Sequence, residues 1–315
     1  MKRIVRWAPL VAAAWLLTGC IYVGDWGDSD AFKQDFHSNY PLAEGGRISV
    51  ESFNGPIEIA AWDQNSVEIN GTKHAGFRDA LEEIKIDVNS NPNSLRIRAL
   101  RGADRFRGAG VRFSLRVPRK AVLELASTSN GRIEVDGIEG KARLHSSNGG
   151  MRLTRVKGEF EAETTNGTID AQDLRGNANF HTSNGSVHAE ASGGSFEAVT
   201  TNGRIEVRLT DPASGPVRLH SSNGHIELTV DSKQLPEVRA ATTNSSILLR
   251  LPPMSDAHVR AYTSHSSSVT SEFDELRHAD EGRRHTRSEM DGNIGHGGPL
   301  MELETTNGSV RIQKL

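Results

Sequence analysis

Short runs of alternating apolar and polar residues, broken at a recurring corner, dominate this chain. Asn-Gly preceded by Ser or Thr occurs at Asn130, Asn148, Asn166, Asn184 and Asn202, each 18 residues after the last, and the step then becomes 21, to Asn223 and to Asn244, where Ser245 replaces the Gly. The residues six and four before each Asn are mostly apolar, as at Ala142 and Leu144, Phe160 and Ala162, or Val217 and Leu219. Those three and five after are apolar again, as at Met151 and Leu153, Ile169 and Ala171, or Ile205 and Val207. Polar residues fill the positions between. Period-two alternation on both sides of a corner predicts two short half-buried strands per repeat. Outlying copies at Asn54 and Asn307 keep the register, so the array runs through most of the chain.

Two folds satisfy this pattern. Asn-Gly between strands is a strong hairpin signal, which would give an antiparallel meander. Alternatively, each repeat is one turn of a coil whose equivalent residues stack in columns. The coil is favoured because the period is held to the residue and because stacked Asn side chains can ladder their hydrogen bonds. A thin interior also suits a chain with only 5% aromatic residues. The expected fold is therefore all-β, a parallel β-solenoid of about 18–21-residue turns. Gly and Asn at the corners are read as suppliers of left-handed backbone. A second corner falls at Gly140, Gly158, Gly176 and Gly194. In the Asn130 copy, Leu123 and Leu125 come one position early, which predicts a bulge. The copy near Thr263 has no Asn-Gly.

The rest of the chain divides around this array. A basic start, Met1 to Arg6, precedes the apolar stretch Trp7 to Leu17 and then Leu17-Thr18-Gly19-Cys20. The stretch is too short to span a bilayer but suits the core of a signal peptide. With Cys20, the chain's single cysteine, it resembles a bacterial lipoprotein lipobox. That resemblance implies a signal peptide over 1–19, cleavage before Cys20 and acylation of Cys20, with membrane attachment through that lipid. Ile21 rather than Asp follows the cysteine, so the expected location is the outer membrane. Residues 20–41 are read as the acylated cysteine and a flexible tether. The Asp-rich run there lacks the Gly and distal Glu of a calcium loop. Residues 42–315 form the solenoid domain. Within it, residues 77–84 predict a short helix, 84–99 two strands, and Val111 to Val117 another. Residues 273–298, polar and Gly-rich, are an irregular excursion.

The closing Gly-Gly-Pro-Leu-x-Leu-x-Thr-Thr-Asn-Gly-Ser-Val-Arg-Ile, the Leu-Arg-Val-Pro118 lead-in and the Ser/Thr-Asn-Gly repeats resemble the bacterial "putative-adhesin" domain of unknown function. The likeness covers roughly residues 42–315. It implies a parallel β-solenoid on a secreted or envelope-anchored protein, and it carries no catalytic residues.

Charge excludes one class of partner. Processing removes Lys2, Arg3 and Arg6, leaving 34 basic against 40 acidic residues, a balance of −6. No basic excess exists to displace counterions, so nucleic acid is not an expected partner. Hydrolase elbows, zinc helices and phosphate loops are absent. One column, three residues before each Asn, contains His145, Glu163 and His181, a weak metal candidate against the plainer reading of a solvated polar ladder. The outward acids Glu134, Asp170, Glu206 and Glu227 form another column, interleaved with Arg152 and His188. The sequence thus points to an envelope-anchored, non-enzymatic adhesion or scaffold module without a cofactor, whose partner is an envelope protein or glycan. A polysaccharide-active enzyme and a structural spacer are the alternatives.

Overall fold

The computed structural model describes residues 21–23, 32–102, 108–211, 215–232, 234–264, 267–277 and 288–315. Its central strands pair parallel, in register, one repeat apart. Ala142, Leu144 and Ser146 lie beside Phe160, Ala162 and Thr164, which lie beside Ala178, Phe180 and Thr182. Beyond the corner, Met151, Ile169, Val187, Ile205, Ile226 and Ile247 make one column. The molecule is a β-solenoid with two strand faces sharing one narrow core. The inward residues are buried, and among them Phe180 packs edge-to-face on Phe196, with centroids 5.6 Å apart. The predicted bulge is present where Ala142 and Leu144 pair with Leu123 and Ala126.

The corners use glycine differently from expectation. A tight Asn-Gly hairpin turn needs left-handed backbone at both residues. Among the described residues the only non-glycines with positive φ are Arg155 and Asp173, so no corner Asn is left-handed. Gly203 is required for a different reason: a Cβ there would lie 1.7 Å from the carbonyl oxygen of Gly185, one turn back. Close backbone approach, not an unusual φ, selects glycine in this column except at Gly55, whose φ is 107°. Left-handed backbone appears at the second corner instead. Gly158 and Gly176 have φ of 137° and 118°, and the strands Met151–Thr164 and Ile169–Thr182 run round it unbroken.

Both ends depart from sequential stacking. At one end, Arg47–Ser52 lies between Val122–Thr128 and Ser94–Leu100, and Ile57–Trp62 lies between Ile133–Asp136 and Gly110–Pro118. At the other, Leu300–Thr305 is inserted between Val238–Thr242 and Ala257–Thr263, and Val310–Lys314 between Ile247–Leu251 and Val269–Ser271. Antiparallel strands close the stack: Lys85–Asn91 on Ser94–Leu100, Ser66–Ala75 on Gly110–Pro118, and Ser288–Ile294 on Ala257–Thr263. Such capping pairs occupy strand edges that would otherwise be open to other chains.

Two boundaries read from the sequence need correction. Phe32–Pro41, assigned to the tether, is a strand paired along its length with Ser66–Ala75, and Ile21–Val23 pairs with it in turn. Its alternate residues Phe32, Phe36 and Tyr40 pack on the core, with Phe36 edge-on to Phe113 at 6.0 Å. Within the stretch 273–298, Asp274–Arg277 is helical and Ser288–Ile294 is a strand, so it is less irregular than expected. The short helix is present as Arg78–Glu83, and the strands Lys85–Asn91, Ser94–Leu100 and Gly110–Pro118 match expectation. Residues 1–20, including Cys20, lie outside the described residues.

Candidate binding surface

The Asn-Gly corner builds the most regular part of the surface. The amide Nδ2 of each corner Asn donates to Oδ1 of the Asn one turn back. Eight such bonds of 2.5–2.8 Å join Asn54, Asn130, Asn148, Asn166, Asn184, Asn202, Asn223, Asn244 and Asn307. The ladder follows stacking order, not chain order: Asn130 follows Asn54, and Asn307 follows Asn244. Asn54 closes one end by donating to the carbonyl of Ala109, 3.2 Å away.

Beneath the amides runs a buried hydroxyl column. Thr164, Thr182 and Thr200 donate to the carbonyls of Gly149, Gly167 and Gly185 on the preceding turn, at 2.9–3.0 Å. Thr182 and Thr200 also accept from the amide N–H of Gly185 and Gly203 in their own turn, at 3.1 Å. Buried hydroxyls are tolerated because they are satisfied in this way. These Ser, Thr, Asn and Gly residues are thus committed to holding the corner.

The outward columns carry matched charges. On the face before the corner, Lys141, Arg143 and His145 oppose Glu159, Glu161 and Glu163 on the next turn at 3.2, 2.9 and 3.7 Å. His181 lies in register on the far side of Glu163. The register therefore brings the three metal candidates His145, Glu163 and His181 side by side. They remain largely solvated, and among the described residues no group of three or more His, Cys, Asp or Glu is placed to hold a metal ion.

The second face carries the carboxylate column in the expected order: Glu134, Arg152, Asp170, His188, Glu206, Glu227. Glu206 and Glu227 are adjacent acids, and each has a basic side chain beside it. His188 lies 3.5 Å from Glu206, and Arg250 pairs with Glu227. They line a depression of about 380 Å³ together with Asp170, Glu190 and Arg208. The arrangement offers alternating hydrogen-bond donors and acceptors on a flat lattice. The polar ladder read from His145 and Glu163 is present, but the Lys141–Glu159 and Arg143–Glu161 pairs were not foreseen, although opposite charges 18 residues apart were a readable signal.

At the ridge edge, half-buried His225 makes a 3.1 Å contact with Ser246 Oγ. Burial pushes its pKa down, and Arg204 adds to this, while Glu227 opposes it. The unfolded chain then binds more protons below about pH 6.5, so this contribution to stability is complete above that pH and lost as pH falls through it. Replacing His225 with Gln should flatten the fall in melting temperature between neutral and mildly acidic pH. An unchanged slope would show that His225 is not the group responsible.

Comparison with known proteins bears on the scaffold. The family model described as Toastrack DUF4097 matches residues 46–313. The solved structures similar to the chain include a "putative adhesin" from Bacteroides fragilis, 11% identical, covering 89% of this chain and 97% of its own, with a TM-score of 0.36. A "putative cell adhesion protein" from Clostridium sporogenes is 8% identical, covering 89% of this chain and all of its own, with a TM-score of 0.21. No curated protein matches the chain.

Proposed function

Because the chain belongs to the Toastrack DUF4097 family, whose model spans most of the solenoid, we propose that it is a non-enzymatic binding module displayed at the cell envelope. Its ligand is an envelope protein or glycan, met by the outward columns of the two strand faces. The carrying observation is that the central corners, at Asn166, Asn184 and Asn202, commit their hydroxyls and amides to the same bonds, so none of these copies is set apart as a reacting centre. A nucleophile needs a base and an orienting partner distinct from its neighbours. The outward acids instead have basic side chains beside them, as in Glu206 with His188 and Glu227 with Arg250.

The module is held to the membrane by a lipid on Cys20, with outer-membrane placement following from Ile21. The sequence supports this through the basic start, the apolar core and the single cysteine placed after Gly19.

The test combines both halves of this reading. Purified from membranes, the protein should carry a diacylated Cys20 at its N-terminus, and Cys20→Ala should accumulate as unprocessed, lipid-free precursor. The same protein should retain a component of intact envelopes or of a glycan array and leave polysaccharides uncleaved. A simultaneous change of His145, Glu163 and His181 to Ala should leave the fold intact and weaken retention if the partner uses that face. Glycan cleavage abolished by changing one outward carboxylate would replace the binding reading with an enzymatic one.

A further inference from the structure

Asn-Gly is chemically the most fragile dipeptide in an aqueous protein, yet this chain exposes a column of them. The glycine amide nitrogen can attack the asparagine Cγ. A new N–Cγ bond forms, the Cγ–Nδ2 bond breaks, and ammonia leaves carrying the glycine N–H proton. Water then opens the resulting succinimide at either carbonyl, giving aspartate or isoaspartate. Glycine permits this because it has no side chain to obstruct its nitrogen. Closure requires the asparagine side chain to turn toward the backbone of the next residue.

The geometry of the corner opposes each of these movements. Asn184 is typical. Its Nδ2 donates to Asn166 Oδ1 at 2.8 Å, and its Oδ1 accepts from Asn202 Nδ2 at 2.7 Å. The nitrogen that would attack, on Gly185, donates to Thr182 Oγ1 at 3.1 Å. Gly185 also sits so close to the preceding turn that a Cβ would lie 1.8 Å from Gly167 oxygen, so its backbone has little room to shift toward the asparagine side chain. Cyclisation therefore means breaking two ladder bonds and one hydroxyl bond inside a packed stack.

We propose that the corner is a shielded hydrolysis site: the intact ladder holds its Asn-Gly amides against deamidation, and the loss of one rung opens the next. The spread has a direction. Aspartate at position 184 has no Nδ2, so it can still accept from Asn202 but can no longer donate to Asn166. Its carboxylate also faces the Asn166 carbonyl oxygen, a repulsive contact. The released neighbour is Asn166, on the side toward Asn54, and conversion proceeds that way along the ridge. The product is a column of carboxylates about 4.8 Å apart, an arrangement that like-charge repulsion destabilises. The neutral ridge thereby becomes an acidic one without any enzyme.

Peptide mapping by mass spectrometry at mildly alkaline pH tests this on the full-length protein, with the same protein in denaturant as reference. Folded wild type should convert Asn148, Asn166, Asn184 and Asn202 at least several-fold more slowly than the denatured chain, since each net hydrogen bond that must break is worth about a factor of two to ten. In Asn184→Asp, Asn166 should accelerate while Asn202 keeps the wild-type rate. In Asn184→Ala, which removes both bonds, both neighbours should accelerate. Circular dichroism melts of each variant separate this from general loosening, which would raise every site alike. Equal rates in folded and denatured wild type, or equal acceleration of Asn166 and Asn202 in the Asp variant, would overturn the proposal.

Discussion

Ile205→Asp should abolish cooperative unfolding at physiological temperature, or lower the melting temperature far more than any change on the neighbouring outward position. Ile205 is fully buried and stacks between Val187 and Ile226 in the inward column. An aspartate there would place a carboxylate among apolar side chains with no described cation facing it. Burying an unpaired charge and losing the isoleucine contacts together cost on the order of 4 kcal/mol or more. The next residue supplies the control. Glu206 points outward, its side chain is half exposed, and its partner is His188 at 3.5 Å. Glu206→Lys loses a surface pair worth roughly 0–1 kcal/mol. Thermal melts of the two variants compare opposite faces of one strand. Similar losses in both would mean that the inward and outward sets had been exchanged.

That comparison also shows why the centre of the fold was legible in the sequence. Side chains in a strand alternate faces, so Ile205 in and Glu206 out follow once either is fixed. A period held to the residue then carries the assignment from copy to copy. The ladder was legible for the same reason, since identical residues at identical positions must stack. The reason for glycine beside each Asn was not. Its cause is the distance to the Gly oxygen of another turn, and no local rule of turn chemistry contains that distance. The caps were hidden too. Phe32, Phe36 and Tyr40 alternate correctly for a strand, but the acidic run from Asp25 to Asp30 beside them suggested a solvated linker. Their partner, Ser66–Ala75, lies in the excursion between the first two copies, where no repeat signal points. The candidate surface divides in the same way. The columns of His145, Glu163 and His181 and of the outward acids could be listed from spacing alone. Their pairing into rungs depends on which turns are neighbours, and at both ends that order departs from the order along the chain.

Removing residues 300–315 should damage the protein more than removing one terminal turn of an ordinary solenoid. A turn added last at an open end touches only the turn before it, and its loss leaves the remaining stack intact. Here the final turn lies inside the stack. Leu300–Thr305 pairs on one side with Val238–Thr242 and on the other with Ala257–Thr263, and Val310–Lys314 bridges Ile247–Leu251 and Val269–Ser271. Met301, Leu303, Val310 and Ile312 are buried between those turns. Thr305 donates to the Ser245 carbonyl at 2.7 Å, Thr263 donates to the Gly308 carbonyl at 2.8 Å, and Asn307 extends the ladder from Asn244. Truncation after Pro299 therefore removes contacts from two turns at once and strands the outer one, with its antiparallel cap Ser288–Ile294. Limited proteolysis should then cut within residues 252–264 and 288–299 at protease levels that leave these segments of the full-length protein intact, and the melt should broaden as the outer segment loosens before the central turns. The central turns, Met151 to Val230, should keep their parallel pairing, because their own neighbours are untouched. A truncated chain that melts as sharply and at the same temperature as the full-length protein, with 252–264 and 288–299 still protected, would show that the inserted turn adds nothing that its neighbours cannot replace by closing on each other.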